Sequence, residues 1–266
     1  MGMAVTVGDH LRAWRERHRL SQLHCALEAD ISQRHLSFLE TGRSRPSRGM
    51  VIHLAERLNI PLRERNAALL AAGFAPAYSE RSLDDPEMDA ARLAIRTILK
   101  GHEPFPALAI DRHWNMVHAN DAVGPLVANV ANQALLETPI NVLRLSLHPQ
   151  GLAPRIENLA EWRNHLMHRL DRQITATQDQ VLIDLRGELL IYGEHLGAAS
   201  ADIAATDSVL VPLKLRTADG TLSFISTTTV FGTPRDVLLS ELAIEAFFPE
   251  NNSTVQYLNR GRSPSC

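Results

Sequence analysis

Cysteine is almost absent: Cys25 and Cys266 are the two thiols in 266 residues. Two thiols cannot build a disulfide framework or a four-thiolate zinc site, which speaks against an oxidising compartment and against structural zinc. Lysine is equally scarce, with Lys100 and Lys214 alone, so the basic complement is almost all arginine, a bias that by itself carries no mechanism. No stretch approaches the ~18 uninterrupted apolar residues of a spanning helix. The opening MGMAVTVGDHLRAW lacks the basic-then-apolar pattern of a secretory signal, so a cytoplasmic protein with no membrane partner is expected. Ser200, Ser208 and Ser226 lack a nucleophile-elbow setting and no glycine-rich phosphate loop occurs, which leaves no catalytic constellation and predicts a non-enzyme with no cofactor.

What is present is the composition of a folded protein, 45% hydrophobic and 21% charged, which excludes wholesale disorder, a collagen-like repeat or a coiled-coil rod. At ~150 residues per domain the length predicts about two domains. The net charge of −3 conceals a split: residues 1–75 carry 11 Arg against 7 acidic side chains, net +4, and residues 76–266 carry 16 basic against 23 acidic, net −7. A small basic module joined to an acidic one is the distribution expected where one half binds phosphate and the other must not.

The basic part reads as five short helices with polar joints. Leu11, Trp14 and Arg15 share a face of a first helix over Gly8–His18. Ser21 can cap a second over Gln22–Glu28 and Ser32 a third over Gln33–Glu40, which Gly42 stops. Ser47 can cap a fourth through Val51, Leu54, Ala55 and Leu58. Pro61 suits the first turn of a fifth that ends at Gly73 and carries Leu69 and Leu70 on its apolar face. The second and third helices, joined by a short turn, have the geometry that lays one helix in the DNA major groove while its predecessor braces the backbone.

Leu11-Arg12, Arg15, Leu20-Ser21-Gln22, Ala26, Leu36-Ser37, Leu39-Glu40, Gly42, Arg45-Pro46 and Leu54-Ala55 with Leu58 resemble the helix-turn-helix domain of the phage-repressor-like (xenobiotic-response-element) regulators over about 60 residues. Cys25 and Asp30 depart from that pattern, standing where leucine and a left-handed glycine are usual; a small apolar thiol and a residue tolerant of positive φ keep the fold. Leu36 and Leu39 face inward, leaving Gln33, Arg34, Ser37 and Phe38 outward. Glutamine can bond adenine and arginine guanine in bidentate fashion, so Gln33, Arg34 and Ser37 are the expected base contacts. Gln22, Ser32, Arg43, Arg45 and Ser47 are the expected phosphate contacts. The resemblance implies that Arg15 pairs with Glu40 inside the domain.

Past Ala75 a linker rich in proline and charge, APAYSERSLDDPEMD, leads to a helix over Glu87–Lys100 with Asp84 or Asp85 as cap, so residues 76–104 are expected to be linker and linker helix. Residues 105–258 then read as an α+β domain. Strands are expected at Ala107–Asp111 and Trp114–Ala119, helices at Ile156–Ala176 and Gln180–Tyr192, a hairpin around Ala218-Asp219-Gly220, and a further strand in ELAIEAFFP from its alternation. Asn251 begins a helix cap after Pro249. Residues 259–266 are expected to be a disordered tail.

This outline is that of a PAS-like domain with an antiparallel sheet. The runs LAIDRHWNMVHAND, NVLRLSLHPQGLAPRIENLAEW and STTTVFGTP resemble the ligand-binding domain of the MmyB-like regulators. The resemblance implies an apolar pocket for a hydrophobic, fatty-acid-like effector. Its candidate lining is Trp114, Leu143, Leu147, Trp162, Leu166, Tyr192, Phe224 and Phe231, with Arg144 and Arg155 available to a carboxylate head group. His165, His168 and Asp171 share a helical face but lack a fourth metal ligand at a telling spacing, so no metal site is expected.

Together these features predict a ligand-responsive transcriptional regulator acting as a homodimer on a pseudo-palindromic operator, with half-sites about one helical turn (~34 Å) apart. The alternative is a DNA-binding regulator whose C-terminal half only dimerises or binds another protein. A cavity of several hundred Å³ (roughly 300 or more) would favour the sensor, and a filled core the alternative.

Overall fold

The computed structural model describes residues 5–195, 210–232 and 234–260. Ser200, Ser208 and residues 261–266 of the expected tail lie outside the described residues. By its contacts the chain divides into two units, Met1–Ser82 with Gly232–Ser240 and Leu83–Phe231 with Glu241–Cys266.

The first unit contains α1 (Val7–Arg17), α2 (Gln22–Glu28), α3 (Gln33–Glu40), α4 (Arg48–Arg57) and α5 (Leu62–Ala71). Hydroxyl caps satisfy backbone N–H groups that helix starts leave unbonded. Ser21 Oγ accepts from the His24 N–H at 3.1 Å, Ser32 Oγ from that of His35 at 3.1 Å, and Ser47 Oγ from that of Met50 at 3.2 Å. The sequence reading starts α1 at Gly8 and misses Thr6, whose hydroxyl accepts from the Asp9 N–H at 3.2 Å while the Asp9 carboxylate accepts from the Thr6 N–H at 2.9 Å. Pro61 stands just before α5 rather than in its first turn. Gly42 and Gly73, at φ +71° and +84°, follow α3 and α5, and Asp30 takes φ +53° between α2 and α3.

Leu11 and Trp14 of α1, Cys25 and Ala26 of α2, Leu36 and Leu39 of α3, and Leu54 and Ala55 of α4 share one core. Of the pair expected inside on α5, Leu69 is buried and Leu70 is 59% exposed, because one residue's rotation carries it to the solvent side. A Cβ on Gly8 would lie 2.6 Å from the Glu40 carbonyl oxygen and 2.9 Å from that of Leu39, so α1 and α3 need glycine there. Gly8→Ala is expected to cost at least about 1 kcal/mol by forcing the helices apart. A lower urea midpoint would register that cost, whereas an unchanged midpoint would mean that the contact relaxes without penalty.

The first unit continues past α5 because Asn66 pins the next stretch. Its Oδ1 accepts from the N–H groups of Ala77 at 3.0 Å and Tyr78 at 3.1 Å, and its Nδ2 donates to the Tyr78 carbonyl at 2.8 Å. The Val237 N–H donates to the Ser79 carbonyl at 2.8 Å, and Arg81 lies 3.6 Å from Asp236. Gly232–Ser240 is thus part of this unit although the sequence places it between two strands of the other.

In chain order the remaining elements are α6 (Asp89–Gly101), β1 (Ala107–Ile110), β2 (Met116–Ala119), α7 (Gly124–Val127), α8 (Val142–Leu147), α9 (Leu159–Thr177), α10 (Gln180–His195), β3 (Leu213–Thr217), β4 (Gly220–Val230), α11 (Val237–Glu241), β5 (Ala243–Pro249) and α12 (Asn252–Asn259). The strands form one antiparallel sheet in the order β2-β1-β5-β4-β3. The two hairpins expected from sequence are therefore joined through β5, whose Ala243 faces Ile110 of β1 and Val230 of β4. Trp162, Leu166 and Leu170 of α9, Leu182, Leu185 and Leu189 of α10, and Leu143 and Leu147 of α8 pack with Leu108 and Leu215 from the sheet.

The expected linker helix belongs to this second unit. Asp85 makes no side-chain cap, and a single turn at Pro86–Met88 precedes α6. Ile95 and Leu99 are buried, while Leu93 and Ile98 face solvent at 67% and 46% exposure. Asn120 joins the end of α6 to β1: its Nδ2 donates to the carbonyls of Leu99 at 3.1 Å and Phe105 at 2.8 Å, and its Oδ1 accepts from the Ala107 N–H at 3.1 Å. Asn251 caps α12, accepting from the Thr254 N–H at 2.9 Å. Among the described residues no helix is long and apolar enough to cross a membrane.

Candidate DNA interface and ligand cavity

The outward side of α3 begins at its cap. Gln33 and Arg34 are exposed in the first turn, and Ser37 and Phe38 are half-buried one turn on. The Arg34 guanidinium carbon lies 5.3 Å from the Phe38 ring centroid and that of Arg43 6.0 Å, so two cations flank one apolar face. Arg43, Arg45 and Ser47 are exposed along the chain from α3 to α4. Among the described residues no carboxylate pairs with Arg34, Arg43 or Arg45, which leaves their charge available to phosphate or base edges. The four-residue spacing on α3 already sets Arg34 beside Phe38, whereas Arg43 reaches the ring through the turn that follows the helix.

Behind α3 lies a buried polar brace. The Glu40 side chain is fully buried, and Arg15 grips it with Nε at 2.7 Å and Nη2 at 3.0 Å. Gln22 Nε2 donates to the same carboxylate at 2.9 Å, Arg12 Nε lies 3.9 Å away, and Arg12 Nη2 donates to the Glu40 carbonyl at 3.3 Å. One N–H of Gln22 is therefore spent inside the domain, and the side chain fixes α2 against α3. Ser32 and Ser47 spend an oxygen lone pair on their caps.

Burial alone would raise the Glu40 carboxyl, but hydrogen bonds from Arg15 and Gln22, and the charges of Arg15 and Arg12, hold it below its ordinary value of 4.5. A carboxylate with a depressed pKa contributes stability that is present above the unfolded value and lost as pH falls through the folded one. The first unit is accordingly expected to weaken on acidification below about pH 4, and Glu40→Gln to flatten that dependence. Parallel acid-unfolding curves for the two proteins would contradict the assignment. Cys25, by contrast, is inert: burial pushes its thiol up to about 11.

The second unit holds a partly open apolar cavity of about 110 Å³ between its sheet and helices. Trp114, Leu143, Trp162, Leu166 and Phe224 border it. Leu147 is buried in the surrounding core without reaching the cavity, and Phe231 lies beyond the end of β4, away from it. Tyr192 is turned aside, its hydroxyl donating to Glu188 and its ring 4.8 Å from that of His148. The volume falls short of the several hundred Å³ set by the sequence reading, yet the core is not filled.

Neither arginine held in reserve for a head group reaches the cavity. Arg144 is committed to Glu188 through Nε at 2.9 Å and Nη2 at 2.7 Å. Arg155 donates to the carbonyls of Arg216 at 3.2 Å and Leu126 at 2.9 Å. The cation at the wall is instead Arg169, paired with Glu245, and sequence offered no signal for it because its partner lies on a distant strand. His165 stacks on Trp162 at 5.5 Å and Asp171 pairs with Arg186. No cluster of three or more His, Cys, Asp or Glu suited to a metal occurs among the described residues.

A family model described as the MmyB-like transcription regulator ligand binding domain matches residues 91–260, and a helix-turn-helix model matches residues 11–65. No curated protein matches the chain.

Proposed function

From the premise that the chain belongs to the MmyB-like transcription regulator family, with a helix-turn-helix domain ahead of its ligand-binding domain, we propose that it is a cytoplasmic homodimer. It binds a pseudo-palindromic operator and responds to a hydrophobic small molecule, acting by binding rather than by catalysis. The observation that carries the DNA half is the exposed row of Gln33, Arg34, Arg43 and Arg45 on and after a helix braced from behind by Glu40. Gln33, Arg34 and Ser37 read bases; Gln22, Ser32, Arg43, Arg45 and Ser47 hold phosphates. Two copies are needed because one such domain covers too few base pairs for useful affinity.

The ligand half is supported by the apolar cavity beside Trp114, Trp162 and Phe224. Besides the junction at residues 82–83, the chain passes between the units at 231–232 and 240–241. A change in the sheet on ligand binding can therefore bias the DNA-binding unit at both ends of Gly232–Ser240 as well as through the segment leading to α6.

Native mass spectrometry of the purified protein, beside a denatured sample, tests assembly and ligand together. A dimer with a small adduct lost on denaturation is the expected result. A monomer would overturn the dimer, and a dimer that carries no adduct and shows no response to any added apolar compound would move the second unit to a pure association role.

A further inference from the structure

We propose that the cavity of the second unit takes an uncharged, ring-sized apolar molecule with a single hydrogen-bond acceptor, and not a carboxylate-headed lipid. This rests on the reading of the cavity as a ligand site.

The described wall carries one charge of each sign. Arg169 and Glu245 both border the cavity, and they neutralise each other. Arg169 Nη1 donates to Glu245 Oε2 at 3.3 Å, and Nη2 donates to Glu245 Oε1 and, at 3.0 Å, to the Thr228 hydroxyl. Thr228 in turn donates to Glu245 Oε1 at 2.9 Å, so both carboxylate oxygens are used. The guanidinium carbon sits 4.8 Å from the centroid of the Trp114 ring, which covers one of its faces. An anionic head group entering here would meet a guanidinium whose charge Glu245 already offsets, and would lie beside a carboxylate that is 6% exposed and repels it. A neutral ligand disturbs nothing.

The uncharged polar groups narrow the choice further. The Trp114 indole N–H is spent on Gln173 Oε1 at 2.8 Å, and that of Trp162 on Ser146 Oγ at 3.0 Å. Ser146 borders the cavity and receives that bond, which leaves its own O–H as an uncharged donor that the described wall can offer. A ligand with one carbonyl or ether oxygen can meet it, and a ligand with several polar groups would leave the others unpaired in apolar surroundings. Size points the same way: about 110 Å³ is of the order of the ~150 Å³ apolar cavity that stays dry and binds benzene.

The test uses the full-length protein at pH 7 and isothermal titration with three probes: acetophenone, benzoate and octanoate. Acetophenone and benzoate share the ring and differ in charge. Saturable binding of acetophenone is expected, with benzoate and octanoate weaker by about tenfold or more. Glu245→Gln releases Arg169 and should raise benzoate affinity about tenfold while changing acetophenone little. Leu166→Trp, which fills the cavity, should abolish acetophenone binding. If benzoate or octanoate binds the unaltered protein as tightly as acetophenone, the inference is overturned and the cavity remains a ligand site of another chemistry. If none of the three binds, the cavity is no ligand site and the reading beneath the inference falls too. Should Leu166→Trp fail to fold, the Glu245→Gln comparison decides alone.

Discussion

Arg15→Ala is expected to destabilise the first unit by about 3 kcal/mol. Removing Arg15 deletes a bidentate pair of bonds, at 2.7 and 3.0 Å, to Glu40, whose side chain has no exposure to water. Gln22 and Arg12 remain, but one neutral amide and one guanidinium at 3.9 Å cannot replace a bidentate grip. The cost is that of a buried charge left without its main partner, not the loss of an attractive pair in water. Arg15→Lys keeps the charge and loses the fork, so its stability should fall between. Thermal unfolding followed by circular dichroism, without DNA, reads both variants. A melting temperature for Arg15→Ala equal to that of the unaltered protein would refute the brace.

The second large effect is a division of labour on DNA. Arg34→Ala is expected to remove about 1–3 kcal/mol of discrimination at one base pair, so that the best site and its single-base variants bind more nearly alike. Arg45→Ala should weaken all duplexes evenly and reduce the slope of log affinity against log salt by about one unit. Arg34 lies in the first turn of α3 and Arg45 on the connection to α4, and no carboxylate competes for either among the described residues. Binding curves for a set of single-base variants at several salt concentrations separate the two. Identical behaviour of the two variants would refute the division of labour.

The helices of the first unit were legible because their signals are local. Ser21, Ser32 and Ser47 each cap the helix that follows, and Gly42 marks an end that the backbone makes with positive φ. The outward set on α3 followed from the inward spacing of Leu36 and Leu39, both buried. Less could be read where a contact joins distant parts of the chain. Gly232–Ser240 joins the first unit through Ser79 and Arg81, and nothing in its own residues announces a partner that far away in sequence.

In the second unit the alternation in ELAIEAFFP gave a strand, but not its central position between β1 and β4. That position brings Glu245 to Arg169, and so decides the charge of the cavity wall. Arg144 and Arg155 were plausible from sequence because arginines near leucine runs can serve a head group. The partners that occupy them, Glu188 and two backbone carbonyls, come from other elements. Residue type set the candidates, and tertiary pairing chose among them.

Whether the first unit reads DNA sequence as part of a paired assembly is decided by selection of random duplexes with the full-length protein. Binding of the winner and a scrambled control is then measured at fixed salt. Two related half-sites about one helical turn (~34 Å) apart are expected, with a preference over the scrambled duplex of at least about a thousandfold. A pool without enrichment, or equal binding of winner and control, would contradict it.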